Sequence, residues 1–209
     1  MSTEYPRPAL TADIVPLRFK GGHLEVLLIE RGSAPFEGKT ALSGGFVDDQ
    51  ETPLAAASRE LLEETGLRDA PLLEIGVFGA KDRDPRGWVV SVAFVALIHP
   101  EAEAHAGDDA ARIGWHRIKE LPDLAFDHHE VFAQALTLLK QRTQVDATPL
   151  ALLPKTFRTA QARHLYSQIW GEPIAPRPFK AWLRRRKVVN RVGPGRFEAA
   201  EELSPDWLR

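Results

Sequence analysis

One stretch constrains this chain more than any other. It runs Gly44-Gly45-Phe46-Val47-Asp48-Asp49-Gln50-Glu51, then, after seven residues, Arg59-Glu60-Leu61-Leu62-Glu63-Glu64-Thr65-Gly66-Leu67. The spacing predicts a glycine loop feeding a helix over roughly 53–65. Thr52 suits the N-cap and Pro53 the first helical position. Gly66 stands where a helix stops in a left-handed turn. Leu54, Ala57 and Leu61 give the helix a small apolar side, with Ser58 beside them. Glu60, Glu63 and Glu64 lie three and four positions apart, so they share a face. Three carboxylates on one face repel each other, which makes them a poor structural device. They become useful with a divalent cation among them. A hard cation such as Mg²⁺, with Mn²⁺ as the alternative, takes oxygen ligands and is usually held by a few carboxylates plus substrate phosphates. Gly44 and Gly45 let the backbone approach a ligand and free carbonyls, that of Gly44 included, for the metal shell. Arg59 can pair with Glu51 and fix the loop against the helix.

Charge gives the second strong signal. The net charge of −2 over 209 residues hides a split. Residues 1–153 carry 15 Lys and Arg against 24 Asp and Glu; residues 154–197 carry 11 against one, a balance of +10. Such asymmetry is the footprint of a basic binding module joined to something else. The chain has no cysteine, which excludes disulfides and thiolate metal sites. No apolar run is long enough for a membrane span, and the first residues lack the pattern of a secretion signal. A cytoplasmic location without membrane association is expected.

In chain order, strands are expected over 12–19, 24–30, 72–80, 88–98 and 112–117, with 40–42 leading into the glycines. Pro16 marks the first as an edge or bent strand. Residues 102–109 read as polar and flexible. A second helix is expected over about 128–142, with Asp127 as N-cap and Glu130 completing a capping box. Strands alternating with two helices imply an α/β sandwich around a mixed sheet. The pattern changes at Ala147-Thr148-Pro149, so the division falls at 1–150 and 151–209. Beyond it come a helix over 159–170, a turn, a helix over 178–187 and a glycine-tipped hairpin over 190–197. That order is the layout of a winged helix-turn-helix.

The order Gly, five residues, Glu, seven residues, Arg-Glu-apolar-x-Glu-Glu-x-Gly-apolar is the signature of the Nudix family. Gly45, Glu51, Arg59, Glu60, Leu61, Glu63, Glu64, Gly66 and Leu67 fit every fixed position. Arg31-Gly32, Pro35-Phe36 and Arg83-Asp84-Pro85-Arg86-Gly87 ahead of Val89-Val90-Ser91 resemble the branch of ADP-ribose pyrophosphatases and Nudix-related transcriptional regulators. Those regulators carry a winged helix after the Nudix domain. The resemblance implies a Nudix α/β/α sandwich and Mg²⁺ held by Glu60, Glu63, Glu64 and the Gly44 carbonyl. It also implies Glu60 and Glu63, steadied by Arg59, as the catalytic group. Glu60 or a carboxylate outside the helix is its general base. Gly45, Arg31, Arg83 and Arg86 would bind ADP-ribose or a related nucleotide, since arginine suits bidentate phosphate contacts. Thr40 and Ser43 depart from the branch, where tryptophan and proline are common, and bear on the base pocket.

His128-His129, with His116, read as capping or surface groups rather than metal ligands. Trp88, Trp115, Trp170 and Trp182 read as core and hinge packing. In the second unit Phe179, Trp182, Leu183 and Val188 would face a small core. Arg177, Lys180, Arg184, Arg185, Arg186 and Lys187 are left on the outer face, with Arg191 and Arg196 flanking the wing tip. That arrangement suits a recognition helix in a DNA major groove. Two functions therefore follow. One is a dimeric regulator that senses ADP-ribose and binds a double-stranded operator. The other is a Mg²⁺-dependent pyrophosphatase whose C-terminal unit is structural.

Overall fold

The structure is a computed structural model, described here over residues 5–107 and 110–200. Strands β1 (Ala9–Lys20), β2 (His23–Arg31), β3 (Thr40–Ala41), β4 (Ser43–Phe46), β5 (Leu72–Phe78), β6 (Val89–Ile98) and β7 (Ala110–Arg117) form one sheet of seven. Its spine runs β3-β2-β1-β6-β5, with β4 on β1 and β7 on β2. β1 and β6 pair parallel from Ala9↔Val89 to Arg18↔Ile98, and every other pairing is antiparallel, so the sheet is mixed.

Period-two alternation on the two central strands builds both faces. Ala12 and Ile14 of β1, with Phe94, Ala96 and Ile98 of β6, pack with Ala56, Ala57 and Leu61 of helix α1 (Pro53–Thr65). Val15, Leu17, Val95 and Leu97 point the other way, onto Val131, Phe132, Ala135 and Leu139 of helix α2 (His128–Val145). The result is the α/β/α sandwich.

Several expectations need correction. β1 is a central strand, not an edge. Pro16 is tolerated because β4 covers Thr11 to Ile14 and β2 takes over at Leu17. The missing N–H falls in the gap between those two pairings. Residues 103–107 form no regular element but are tied down: the amides of His105 and Gly107 donate to the carbonyls of Thr65 and Glu64. Asp108 and Asp109 of that segment lie outside the described residues. Trp88 is half exposed just before β6 rather than buried in a core.

The second unit follows a short 3-10 turn at Thr148–Leu152. It comprises β8 (Phe157–Arg158), α3 (Thr159–Trp170), α4 (Pro176–Arg186), β9 (Val189–Gly193) and β10 (Arg196–Ala199). The three strands make a small sheet ordered β8-β10-β9. This is the winged-helix layout, with the β9–β10 hairpin as wing. Leu150, Leu152 and Leu153 are buried in the same hydrophobic cluster as Leu139 of α2 and Leu165 of α3. The 150/151 boundary therefore falls inside a shared core. The Trp170 indole N–H donates to Thr143 Oγ1 (3.0 Å), which fastens α3 to the last turns of α2.

Candidate functional site

α1 is set as its sequence predicts. Thr52 Oγ1 accepts from the Ala55 amide at 3.2 Å, and Gly66 closes the helix in the left-handed region at φ 70°. Two close approaches fix the glycine loop, one against helix α1 and one against β1. A Cβ at Gly45 would stand 2.1 Å from Glu60 Oε1, and one at Gly44 would stand 2.3 Å from the Ala12 carbonyl oxygen. Only glycine lets the Glu60 carboxylate lie flat against that backbone. The Gly44 amide donates to Glu64 Oε2 at 2.9 Å.

Arg59 organises the remaining acids. It bonds Glu51 bidentately (3.1 and 2.9 Å), Glu60 (2.7 Å), Glu63 (3.1 Å) and the Phe46 carbonyl (3.0 Å). These contacts hold the Arg59 pKa above its ordinary value, with the hydrogen bond to Glu51 contributing most. The same bond holds the Glu51 carboxyl below the usual range. Glu60 moves the other way, because burial raises its pKa and outweighs Arg59.

Among the described residues no three acidic or histidine groups converge as a ready metal cage. The donor set nevertheless fits a hard divalent cation. Glu60 and Glu64 are carboxylates pressed against Gly44 and Gly45, and Glu60 is half-buried beside like charges.

Beside this face opens a cleft of about 610 Å³. Gly44, Gly45, Phe46 and Glu64 of the glycine loop and α1 line it together with Arg31, Arg83, Asp84, Arg86, Phe126 and His128. The sequence-predicted residues of the nucleotide site thus meet in one place. The three arginines are not equivalent. Arg83 is a buried clamp: it bonds Asp127 through Nε (2.9 Å) and Nη2 (2.8 Å), and Asp13 through Nη2 (2.8 Å). Arg86 is folded onto Asp84 at 2.7 Å but keeps 41% of its side chain exposed. Arg31 Nε donates to the Pro35 carbonyl at 2.7 Å. Burial, then repulsion from Arg86, lowers the Arg31 pKa below its ordinary value.

Sequence spacing does not single out the three aromatic rings that gather here. The Arg31 guanidinium lies 4.9 Å from the Phe126 ring centroid, and that of Arg86 lies 5.1 Å from Phe46. Phe36 meets Phe126 edge-on at 4.8 Å. Phe46 carries a readable signal: it follows the double glycine on a short strand. Phe126 carries none, since its left-handed backbone (φ 54°) aims it into the cleft. His128 is buried rather than on the surface, and its Nδ1 accepts from the Leu42 amide at 2.9 Å. Asp127 does not form the expected capping box, because Arg83 takes its carboxylate. His129 Nε2 accepts from the Leu124 amide.

A model of the NUDIX domain matches residues 7–136, well over half of the chain. The chain belongs to the NUDIX domain family. Beyond that domain, it is 35% identical over 195 residues to the ADPR responsive transcriptional repressor NtrR of Acinetobacter baylyi, covering 91% of this chain and 76% of the repressor. It is 44% identical over 107 residues to the ADP-ribose pyrophosphatase of Methanocaldococcus jannaschii, covering 51% of this chain and 63% of that enzyme. The structure of Shewanella oneidensis NrtR complexed with a 27mer DNA aligns over 94% of both chains, with a TM-score of 0.76 and 26% identity. The NUDIX domain of the same protein complexed with ADP ribose aligns over 65% of this chain and 90% of that domain, with a TM-score of 0.59 and 29% identity.

On the second unit, Phe179 and Leu183 of α4 are buried, while Arg177, Lys180, Arg184, Arg185 and Arg186 are exposed. Lys187 ends the helix in the left-handed region at φ 56° and is exposed. Arg196 is exposed at the wing. Helical periodicity therefore sorts this segment into an inner apolar side and an outer basic one. Among the described residues no helix is long and apolar enough to cross a membrane.

Proposed function

We propose that this chain is an ADP-ribose-responsive transcriptional regulator. Its NUDIX domain (residues 1–150) is the sensor, and its winged helix (151–209) binds double-stranded operator DNA. One observation carries the reading. Helix α2 begins at the cleft, which its first residue His128 lines and where its N-cap Asp127 holds the lining residue Arg83, and it ends against α3 of the basic unit through Thr143 and Trp170. The likeness to a repressor named as ADPR responsive, over 91% of this chain, supports it.

In this reading Phe46 and Phe126 offer faces to a planar base, while Arg31, Arg83 and Arg86 attract the diphosphate. Gly45 lets the diphosphate come close to the backbone. Arg177, Lys180, Arg184, Arg185, Lys187 and Arg196 contact the operator, mainly its phosphates. A homodimer would present two such helices to a palindromic site.

The preserved acids favour a second activity at the same site. Glu60, Glu63, Glu64 and the Gly44 carbonyl would hold Mg²⁺, or Mn²⁺ in its place. When bound, the cation polarises phosphoryl oxygens and lowers the pKa of a coordinated water. Arg59 keeps Glu60 and Glu63 oriented, and Glu60 is the general-base candidate, since burial raises its pKa above the ordinary carboxylate value. The products of ADP-ribose would be AMP and ribose 5-phosphate. A gel shift on the DNA upstream of its own gene, with and without ADP-ribose, tests the regulator reading. Product analysis of the same reaction tests hydrolysis.

A further inference from the structure

Residues 154–197 carry 11 Lys and Arg against the single acid Glu172. Helix α4 and its C-cap Lys187 take six of these cations. Arg163 is engaged inside the unit, where its Nη1 donates to the Ile174 carbonyl at 2.9 Å. The other four, Lys155, Arg158, Arg191 and Arg196, fall on the three-stranded sheet or just before it. All four are exposed, and among the described residues none of them forms an ion pair. The recognition helix therefore leaves a second group of cations unexplained.

Strand register brings two of them face to face. β8 and β10 pair antiparallel, with Arg196 opposite Arg158 and Phe197 opposite Phe157. Phe157 and Phe197 are buried, so the two arginines share the outer face. Directly opposite residues have Cβ atoms about 4.5–5.5 Å apart, and like charges there are destabilising. Arg196 Nη1 lies 3.5 Å from Thr156 Oγ1, which belongs to the same face two positions before Arg158. Glu198, two positions along β10, is on that face as well, but it sits in register with Asn190 and pairs with neither arginine. Two facing guanidiniums without a counter-charge are a poor structural device. They make a good anion clamp, since each presents a planar fork of donors that fits phosphate oxygens.

We propose that Arg158 and Arg196 together clamp one phosphate of the DNA backbone and carry the operator footprint from α4 onto the outer face of the wing sheet. The proposal rests on the operator reading above. Charge and continuity argue for this occupant. The chain passes from the end of α4 straight into β9, so the clamp adjoins the basic helix, and Lys155 and Arg191 extend the positive strip on either side. A duplex offers a regular row of phosphates to such a strip. One phosphate held by both forks relieves their repulsion. A contact of this kind sets the register of the unit on the duplex and carries no sequence information. Arg158 is thus a DNA contact outside both the recognition helix and the wing tip.

The test is fluorescence anisotropy of the full chain on the DNA upstream of its own gene and on an unrelated duplex of equal length, across roughly 50 to 300 mM salt. Arg158→Gln with Arg196→Gln should lower the affinity for both duplexes by the same factor. The slope of log affinity against log salt should fall by about 1, for one phosphate released. A fall of about 2 would give each arginine its own phosphate and overturn the shared clamp. Arg158→Lys, which keeps the charge but not the fork, should keep the slope and lose only part of the affinity. An unchanged slope in the double variant would overturn the proposal. So would a loss confined to the upstream DNA, which would mark a base contact. Without DNA the double variant should unfold at a temperature no lower than the native chain, because a repulsive pair has been removed. A lower temperature would give the arginines a structural role and overturn the clamp. Arg184→Ala with Arg185→Ala separates the two readings. If that variant lowers the slope and the sheet variant does not, the operator reading stands and the clamp falls. If the native chain binds neither duplex, the operator reading falls and takes the clamp with it.

Discussion

Arg83 grips Asp127 bidentately at the residue that opens α2, while the same guanidinium holds Asp13 of β1. The pair is buried, with side-chain exposures of 4% and 13%. One arginine in the nucleotide cleft thus ties the sheet to the helix that carries the basic unit. A diphosphate entering the cleft competes for that guanidinium. Asp127→Asn should therefore weaken the response of DNA binding to ADP-ribose while leaving DNA binding itself intact. It should also cost stability, up to roughly 3 kcal/mol, with Asp13 left to compensate part of the buried charge. Urea unfolding reads the stability, and gel shifts across an ADP-ribose titration read the coupling.

Gly45 is the place where loop and helix touch. Gly45→Ala must displace the Glu60 carboxylate, since the new Cβ would overlap Oε1. The displaced group is the far end of a flexible side chain, so stability should change by only about 1 kcal/mol. Release of AMP from ADP-ribose should fall at least tenfold, because a misplaced carboxylate loses its geometry toward metal and phosphate. An unaltered rate of AMP release would detach Glu60 from the reaction.

The acidic helix and the winged layout were legible in the sequence because both rest on local rules: caps, periodicity and fixed spacing. Thr52, Pro53 and Gly66 act as their residue types dictate. What could not be read depends on contacts across the chain. The capping box at Asp127 fails because Arg83, 44 residues away, takes the carboxylate. Pro16 sits in a central strand because two partners divide β1 between them. Phe126 enters the cleft through a backbone conformation that its sequence does not announce. The family resemblance pointed to Arg31, Gly45, Arg83 and Arg86, which line one cleft, but not to the burial of Arg83 or His128.

His128 gives a pH dependence. Burial lowers its folded-state pKa below 6.5, and its Nδ1 must stay unprotonated to accept from Leu42. As pH falls through 6.5 the unfolded chain takes up this proton before the folded chain does. The stability held above that pH is then lost on acidification toward the lowered folded-state value. Thermal unfolding at pH 7.5 and 5.5 should show a larger drop for the native chain than for His128→Gln. Equal drops would remove His128 as the cause.

The basic face predicts a salt-dependent affinity. Arg184→Ala with Arg185→Ala should lower operator affinity. The slope of log affinity against log salt should fall by about 2, one for each phosphate no longer neutralised. ADP-ribose hydrolysis should be spared. Equal loss of both activities would mean that the double variant disturbs the shared core rather than a DNA contact.

The most direct test of the account is a gel shift on the DNA upstream of its own gene, with ADP-ribose titrated in. The lane mixtures are then analysed for AMP, with Glu64→Gln run in parallel. The account predicts a shifted band at low salt, a change in its intensity as ADP-ribose rises, and AMP that appears only with the native chain and a divalent metal. A band that never forms, or one indifferent to ADP-ribose at every concentration, would contradict it.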